Sequence, residues 1–332
     1  MREGDMLTRL TEASVLRSEL DDSVNFITRG DYPGAIEARY VRRDPDEVIV
    51  YLSSQTGCAK ACRFCHLTQS GQTDGRDVTI NEYLTQAKTV LEHYDQLVEE
   101  GGPAARTVNF NFMARGEVFA NRAFLDGSSF KLLDALASLG LQRRLLPRFK
   151  LSTIMPRELD GRSLAELFPR LMPDIYYSLY SVDERWRRRW MPKALPAQHG
   201  LGMLADYAKV TRKIPVIHFA LIAGENDQPQ HMDAIAEAIG ACGLRCDINL
   251  VRYNPFSDRQ GAASNDQVMD RCARQLAEAL PGCRVQIVGR VGYDVKASCG
   301  MFVAGRNTKK PRQLAQLPLL PTSPSVIHGH GA

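Results

Sequence analysis

The chain has 332 residues, 44% hydrophobic and 24% charged, and these proportions exclude a collagen-like, low-complexity or generally disordered protein. Its 42 Lys and Arg residues against 38 Asp and Glu residues give a formal charge of +4, too slight to indicate a nucleic-acid coat. No apolar run reaches the roughly 18 residues of a membrane-spanning helix. The amino terminus lacks the apolar core of a secretory signal, so we expect a cytoplasmic protein.

Residues 1–47 are predicted to form an amino-terminal extension that contains a helix and a hairpin. The segment SVNFITRGDYPGAIEARYVRR, residues 23–43, has the pattern of two strands around a turn at residues 31–34. We expect this hairpin to lie on the main domain.

The core, residues 48–304, alternates short β-branched or aromatic runs with amphipathic segments of helical period. Six consecutive βα units predict an α/β fold with a partial (βα)6 barrel. An open doubly wound sheet is the alternative, because strand order cannot be read from one sequence. The last segment, residues 305–332, is rich in Pro and polar residues and is predicted to be a mobile tail. The predicted strands are 48–55, 107–114, 149–154, 174–180, 215–222, 246–253 and 284–289, and the predicted helices are 80–100, 128–139, 162–171, 197–211, 230–242 and 266–280.

Three of the eight cysteines stand close together, in the loop after the first core strand. Cys58, Cys62 and Cys65 have the spacing CxxxCxxC. Three thiolates can hold a cubane iron–sulfur cluster and leave its fourth iron open for chemistry. The alternative is a zinc site, which needs a fourth ligand, and His66 is the only near candidate. Reactive groups of βα barrels lie on loops at the carboxyl ends of the strands, where this loop falls.

The cysteine loop resembles the CxxxCxΦC loop of the radical S-adenosylmethionine (SAM) superfamily, with Phe64 at the aromatic position. Gly116 and Glu117 stand where these proteins place a Gly-Glu pair. Further motifs follow in the order and context of the RlmN/Cfr-like adenosine methyltransferases, and the resemblance extends from about residue 24 to residue 304. It implies a radical SAM barrel, a [4Fe-4S] cluster on the three cysteines, and SAM bound at the open iron. The further motifs are LST (151–153), YSLYS (177–181), INLVRYNPF (248–256) and VGYDVKASCGMF (291–302).

The resemblance also implies roles for single residues. Cys299 matches the cysteine that is methylated during catalysis and then carries the methyl-derived carbon, through a radical step, to an sp2 carbon of adenine. Glu37 matches the glutamate that removes the ring proton as a base. The implied substrate is ribosomal or transfer RNA, the implied electron donor is a flavodoxin or ferredoxin, and we expect a monomer. The implied contacts to SAM are Phe64, Gly116, Glu117, Ser152, Ser178, Tyr180 and Asn254.

The sequence departs from this family in two places. The family releases the covalent adduct on Cys299 with a second cysteine, and the alignment of SSQTGC places Tyr51 there. Either an external thiol releases the adduct or the reaction ends differently. Family members also carry an amino-terminal helical domain that helps to grip RNA, whereas this sequence begins almost at the hairpin, so we expect a different or smaller substrate.

The segment DERWRRRWMPK, residues 183–193, alternates arginines with tryptophans and has two interpretations. Its side chains contact phosphates and stack on bases, or they form a solvated helix capped on the barrel. Two alternatives stay open for the whole protein. One is a radical SAM enzyme that modifies another substrate without thiol resolution, and the other is a non-catalytic iron–sulfur protein that binds nucleic acid. The candidate RNA contacts are Arg185, Trp186, Arg188, Arg189 and Trp190.

Overall fold

The amino-terminal extension supplies the first strands of one large sheet. The computed structural model describes residues 10–303 and 325–328. The predicted hairpin around residues 31–34 is present, but its second strand also pairs with the first core strand, so it continues the core sheet instead of lying on it. Residues 10–47 of the extension contain strands and no helix, and residues 1–9 lie outside the described residues. The antiparallel strands are β1 (Leu10–Arg17), β2 (Val24–Gly30), β3 (Ile36–Asp44) and β4 (Glu47–Tyr51).

The core consists of seven parallel strands that are neighbours in chain order, and all seven predicted core strands are confirmed. Because the strand order never reverses, the sheet has no switch point and is not doubly wound. Among the described residues, the two outer parallel strands pair with β3 and β11 and not with each other. The seven parallel strands therefore form a partial barrel. The strands are β4, β5 (Thr107–Phe112), β6 (Leu146–Thr153), β7 (Asp174–Tyr177), β8 (Val216–Leu221), β9 (Asp247–Arg252) and β10 (Arg284–Val288), with β11 (Ser325–His328) antiparallel at the edge.

Amphipathic helices pack on the strands and bury one apolar face each. The longest helix, over residues 80–99, begins with a capping box, in which the Thr79 hydroxyl accepts from the Glu82 amide and the Glu82 carboxylate accepts from the Thr79 amide. Its buried residues recur every three or four positions and face the sheet. The helices are α1 (His66–Gln69), α2 (Ile80–Glu99), α3 (Arg122–Leu125), α4 (Ser129–Leu141), α5 (Glu184–Trp190), α6 (Ala197–Thr211), α7 (Pro229–Ala241) and α8 (Asp266–Ala279), with 3-10 turns at Val118–Ala120, Arg157–Leu159 and Asp258–Gln260.

One predicted helix is wrong, and the predicted tail is only partly described. Residues 162–171 form turns, because Pro169 cannot donate a helical hydrogen bond, while Leu164 and Phe168 still bury their side chains. The apolar spacing there reflects a packed loop. Most of the predicted tail lies outside the described residues, but its residues 325–328 form β11. Within the described ranges, no helix combines the length and the apolar character needed to cross a bilayer.

Candidate active site

All seven parallel strands line one cavity of ≈ 340 Å³. Side chains alternate along each strand, so that one set packs under the helices and the other faces this cavity. A single cavity lined by every strand shows that the sheet curves around it. Each strand contributes at least one polar side chain to the cavity lining, whereas the core on the other face is close-packed and apolar. One side chain from each strand in order is Tyr51, Asn111, Ser152, Tyr176, His218, Asn249 and Gln286.

Most of the site residues predicted from the sequence lie at this cavity, on segments that follow the carboxyl ends of the strands. They come from six separate stretches of chain, which the barrel brings together as the fold predicts. Glu37 and the candidate RNA contacts of α5 do not line the cavity. The predicted residues that do line it are Cys58, Cys62, Phe64, Cys65, Gly116, Glu117, Ser152, Ser178, Tyr180, Asn254 and Cys299.

The cysteine loop is tied by backbone hydrogen bonds to the segments around it. The Cys58 amide donates to the Gln72 carbonyl at 3.0 Å, and the His66 amide donates to the Gly300 carbonyl at 3.0 Å. Burial raises the pKa of Cys58 to about 12 and that of Cys62 well above its ordinary value, and the neighbouring thiols add to both shifts. Thiols in such a site are neutral until a metal centre binds and deprotonates them.

The geometry around His66 argues against a zinc site. Its Nε2 donates to the backbone carbonyl oxygen of Asn254 at 3.0 Å, and its ring packs edge-on against the ring of Phe256, with centroids 5.2 Å apart. His66 is therefore turned away from the three thiols. In the described part of the chain, no three His, Cys, Asp or Glu side chains converge on one ion. Three thiols facing one cavity without a fourth ligand fit a cubane cluster, whose irons each take a separate thiolate.

The Gly-Glu pair forms a fixed acceptor at the cavity wall. Glu117 is buried, and its two carboxylate oxygens accept from the amides of Phe119 at 3.2 Å and Ile154 at 3.1 Å. Burial raises the pKa of this carboxyl. Gly116 has a φ of +93°, and a Cβ there would come within 2.7 Å of the Gln55 amide nitrogen, so only glycine fits.

The remaining predicted SAM contacts offer one hydroxyl pair, one aromatic pair and one amide. The hydroxyls of Ser152 and Ser178 lie 3.3 Å apart. The rings of Phe64 and Tyr180 stack with centroids 4.1 Å apart. Asn254 is 3% exposed, and its Oδ1 is a buried acceptor with no partner in the described chain. A buried acceptor without a partner, at a cavity with hydroxyls and aromatic rings, fits a polar ligand with an aromatic base such as SAM.

Glu37 lies beneath the cavity in a buried ion cluster. Its Oε1 accepts from Arg115 Nε at 2.7 Å and its Oε2 from Arg39 Nη2 at 3.0 Å. Burial alone would raise the pKa of Glu37, but the two guanidinium groups outweigh it and hold the pKa below its ordinary value. Both carboxylate oxygens are thus taken by guanidinium groups, and Glu37 does not line the cavity. The predicted role of Glu37 as the ring-proton base therefore has no contact to support it.

The same ion cluster anchors the segment that carries Cys299. Arg39 donates to the carbonyls of Ala297 at 3.0 Å and Met301 at 2.8 Å. Arg115 donates to the carbonyl of Val303 at 2.9 Å, and the Val303 amide donates back to Glu37 at 3.1 Å. The segment 297–303 is thus fixed to β3 and to the loop after β5 by buried charge-assisted bonds.

The thiol of Cys299 faces into the cavity beside a histidine that the sequence gives no reason to pair with it. It is accessible from the cavity and surrounded by protein, and this burial raises its pKa although Arg43 and Arg39 oppose the shift. Its Sγ lies 3.9 Å from Nε2 of His218, a residue that sequence reasoning missed. The period-2 pattern of β8, with a polar side chain on the cavity face, was the available signal.

Tyr51, which the sequence resemblance aligns with the family's second cysteine, lines the cavity. Burial raises its pKa, and Cys299 contributes to the shift. The other thiols do not substitute for that cysteine, because in the described chain only the three loop cysteines and Cys299 line the cavity. Of the others, Cys246, Cys272 and Cys283 are buried in the core and Cys242 caps the end of α7.

The two tryptophans of the predicted RNA contact are core residues, so the prediction that they stack on bases is wrong. Trp186 and Trp190 are 5% and 1% exposed and stack on each other with centroids 5.4 Å apart. Trp190 Nε1 donates to Glu225, which also pairs with Arg189. The regular spacing of the two tryptophans on α5 therefore reflects packing in the core. Arg185 and Arg188 are exposed and stay candidate phosphate contacts.

The chain is similar to curated RNA methyltransferases and to solved structures, and no family model matches it. It is 30% identical over 264 residues to the probable dual-specificity RNA methyltransferase RlmN of Acidothermus cellulolyticus, covering 77% of this chain and 58% of that protein. It is also 30% identical to the probable RlmN of Prochlorococcus marinus, and this match covers 76% of this chain and 67% of that protein. The probable RlmN of a Parafrankia species is 30% identical as well, with 82% of this chain and 69% of that protein covered. The chain thus spans less than two thirds of the first relative. A radical SAM methyltransferase from Sphaerobacter thermophilus shares the fold, with a TM-score of 0.68 and 21% identity over 90% of this chain and 82% of that one.

Proposed function

This chain belongs to the RlmN family of RNA methyltransferases, and from that premise we propose that it transfers a methyl-derived carbon from SAM to an sp2 carbon of adenine in RNA, through Cys299. One observation carries the proposal. The Cys299 thiol opens into the same cavity as Cys58, Cys62 and Cys65. A carrier thiol and the ligands of a radical-generating cluster must share one enclosed space, because a radical has to reach its target before it meets solvent.

The three loop cysteines hold the [4Fe-4S] cluster in this proposal. When bound, the cluster supplies the electron that cleaves SAM. Glu117 binds the amino group of SAM with a carboxylate that two backbone amides keep oriented. Asn254 offers its unpartnered Oδ1 while its Nδ2 holds the Cys299 carbonyl at 2.9 Å, so one side chain contacts the ligand and positions the carrier. An external flavodoxin or ferredoxin in the cytoplasm provides the electron.

The polar cavity wall suits a nucleobase. Asn111, Asn249 and Gln286 present amide groups, which can donate to and accept from the edge of a base. Asn111 Oδ1 is buried without a partner in the described chain, and so is left for a ligand. Arg185 and Arg188 would then contact phosphates outside the cavity.

The test is anaerobic loading of the protein with iron and sulfide, followed by SAM carrying a trideuterated methyl group and a reductant. We expect the Cys299 peptide to gain one labelled methyl group, with formation of S-adenosylhomocysteine and 5′-deoxyadenosine, and transcribed RNA to gain methyladenosine. 5′-Deoxyadenosine with an unmodified Cys299 would favour the radical enzyme with another substrate. A loaded protein that binds SAM and forms neither product would favour the nucleic-acid binder.

Because Tyr51 stands where the resemblance places the second cysteine, we predict that turnover depends on an added thiol. In the family, a thiolate bonds to the carrier sulfur, the carbon–sulfur bond breaks, and the carbon keeps the electron pair and takes up a proton. Tyr51 cannot do this, so we propose that an external thiol releases the RNA and leaves a mixed disulfide on Cys299, which a second thiol reduces.

We expect Tyr51→Cys to release methylated RNA without added thiol, whereas the original chain stops after one covalent adduct per protein. The measurement is the number of turnovers with and without dithiothreitol, alongside the fraction of RNA bound covalently. Tyr176→Cys, at another tyrosine that lines the cavity, on β7, is the matched control and should still need the thiol. Equal turnover of the original chain in both conditions would contradict the prediction.

A further inference from the structure

We propose that His218 is the base that takes the thiol proton of Cys299 when its sulfur accepts a methyl group, an inference that rests on the proposed function. His218 lies on the cavity face of β8, and its Nε2 is 3.9 Å from Cys299 Sγ. The ring is held edge-on by Tyr176, with centroids 6.1 Å apart. Its Nδ1 is buried and has no hydrogen-bond partner in the described chain, so the thiol is the one group there that is placed to hydrogen-bond with the ring. A thiol that donates to Nε2 selects the tautomer with the proton on Nδ1.

The Cys299 thiol needs a base because it is neutral in the resting site. The thiolate is the reactive nucleophile of a cysteine, and burial raises the pKa of Cys299 above its ordinary value. Arg43 and Arg39 lower that pKa in part, but a guanidinium group cannot accept a proton. The phenol of Tyr51 is neutral as well, because burial raises its pKa.

None of the carboxylates around the cavity has a hydrogen bond to Cys299 in the described chain. Glu37 pairs with Arg115 and Arg39 and does not line the cavity, and Glu117 accepts from two backbone amides. Glu47 lines the cavity from the first residue of β4 and does not contact the thiol. Among the described residues, His218 is therefore the acceptor with a free lone pair beside Sγ. The titratable or charged groups that line the cavity with His218 from strands β3 to β9, and from the segment after β10, include Arg39, Arg43, Glu47, Tyr51, Lys150, Tyr176, Arg252 and Cys299.

The step conserves charge inside the cavity. Burial lowers the pKa of His218 to about 4, so the imidazole is uncharged at neutral pH and its Nε2 carries a lone pair. As the Cys299 sulfur bonds to the methyl carbon of a methylsulfonium donor, the S–H bond breaks and the proton moves to Nε2. The carbon–sulfonium bond breaks, and its electron pair stays on the leaving thioether. One positive charge enters as sulfonium and remains as imidazolium, so no extra charge has to be created in a low-dielectric site.

The test compares His218→Gln with the original chain in two measurements. Gln keeps a hydrogen-bond acceptor but cannot take the proton, and His231→Gln on α7, outside the cavity lining, is the matched control. In the loaded protein we expect His218→Gln to slow labelling of Cys299 by deuterated SAM roughly 100- to 10,000-fold, the range of general base catalysis. Its rate should rise about tenfold per pH unit from pH 6.5 to 8, because it then follows the thiolate fraction, while the original chain changes less.

The second measurement needs no cluster. Alkylation of Cys299 by iodoacetamide, followed on its peptide by mass spectrometry, should be slower in His218→Gln than in the original chain and in His231→Gln. If His218→Gln melts early, His218→Asn replaces it in both measurements. Equal labelling and alkylation rates in the original chain and the variant would overturn the role of His218. Absence of labelling in the original chain would instead contradict the proposed function, and the alkylation rates would still decide on the histidine.

Discussion

Cys299→Ala is expected to abolish methyl transfer while the protein keeps its fold and its cluster. Removal of a covalent carrier leaves no route for the methyl-derived carbon, so RNA methylation should fall by at least about a thousandfold, the scale seen when an enzyme loses its nucleophile. The fold should survive, because Asn254 and His66 hold this segment through the backbone carbonyls of Cys299 and Gly300 and not through the thiol. The measurement is labelled methyl in RNA, with the visible absorbance of the cluster as the check on loading.

Cys242→Ala is the matched control for that experiment. Cys242 is half-buried at the end of α7, where its Sγ contacts Gln198 at 3.7 Å, away from the cavity. This variant should methylate RNA at the original rate. If Cys299→Ala also keeps the original rate, the carbon does not pass through this thiol, and a radical enzyme without a thiol carrier becomes the better account. If neither protein methylates RNA and both bind it, the protein is a binder.

Glu37→Gln is expected to lower the free energy of unfolding by about 3–5 kcal/mol. The carboxylate neutralises Arg39 and Arg115, which are 2% and 0% exposed, and the amide would leave both guanidinium groups buried without a counter-charge. Urea unfolding followed by the fluorescence of the buried tryptophans measures this loss. Asp46→Asn is the matched control: its pair with Arg106 is 51% and 78% exposed, so its removal should cost less than about 1 kcal/mol.

The pH dependence of stability should differ between the original chain and Glu37→Gln. The pKa of Glu37 is lower in the folded protein than its ordinary value of 4.5, so the folded state binds fewer protons there than the unfolded state. Its contribution is fully present above that ordinary value and is lost as the pH falls through the folded pKa. The original chain should therefore lose more stability than Glu37→Gln on acidification below about pH 4.5. Parallel stability curves for the two proteins would contradict this.

The Glu37 cluster also predicts a functional effect at a distance. Without the carboxylate, Arg39 and Arg115 lose the partner that aligns their bonds to the segment 297–303. Glu37→Gln should then loosen the segment that carries Cys299, and this would reduce methyl transfer even though Glu37 does not touch the cavity. The structure thus favours a positioning role for Glu37 over the role of a base.

The sequence by itself determined the parallel core strands, five of the six predicted core helices and the cysteine loop. These follow from local rules: side chains alternate along a strand, apolar residues recur along a helix, and three cysteines at fixed spacing in one loop stay close together in any fold. The Gly-Glu pair and Asn254 were predicted through the family resemblance, which rests on short motifs beside strand ends, and both line the cavity.

Only the tertiary structure decided the roles that depend on what packs around a residue. Trp186 and Trp190 fit a base-stacking surface or a core equally well until the barrel buries them, and Glu37 is a free carboxylate or an anchor depending on two arginines 2 and 78 positions away in the chain. His218 and Cys299 are 81 residues apart and meet because β8 and the segment after β10 border one cavity. Burial and long-range contacts determine the pKa of each of these side chains and whether it reaches the cavity. Both depend on how the helices and strands pack together, and the local pattern of residues does not encode that packing.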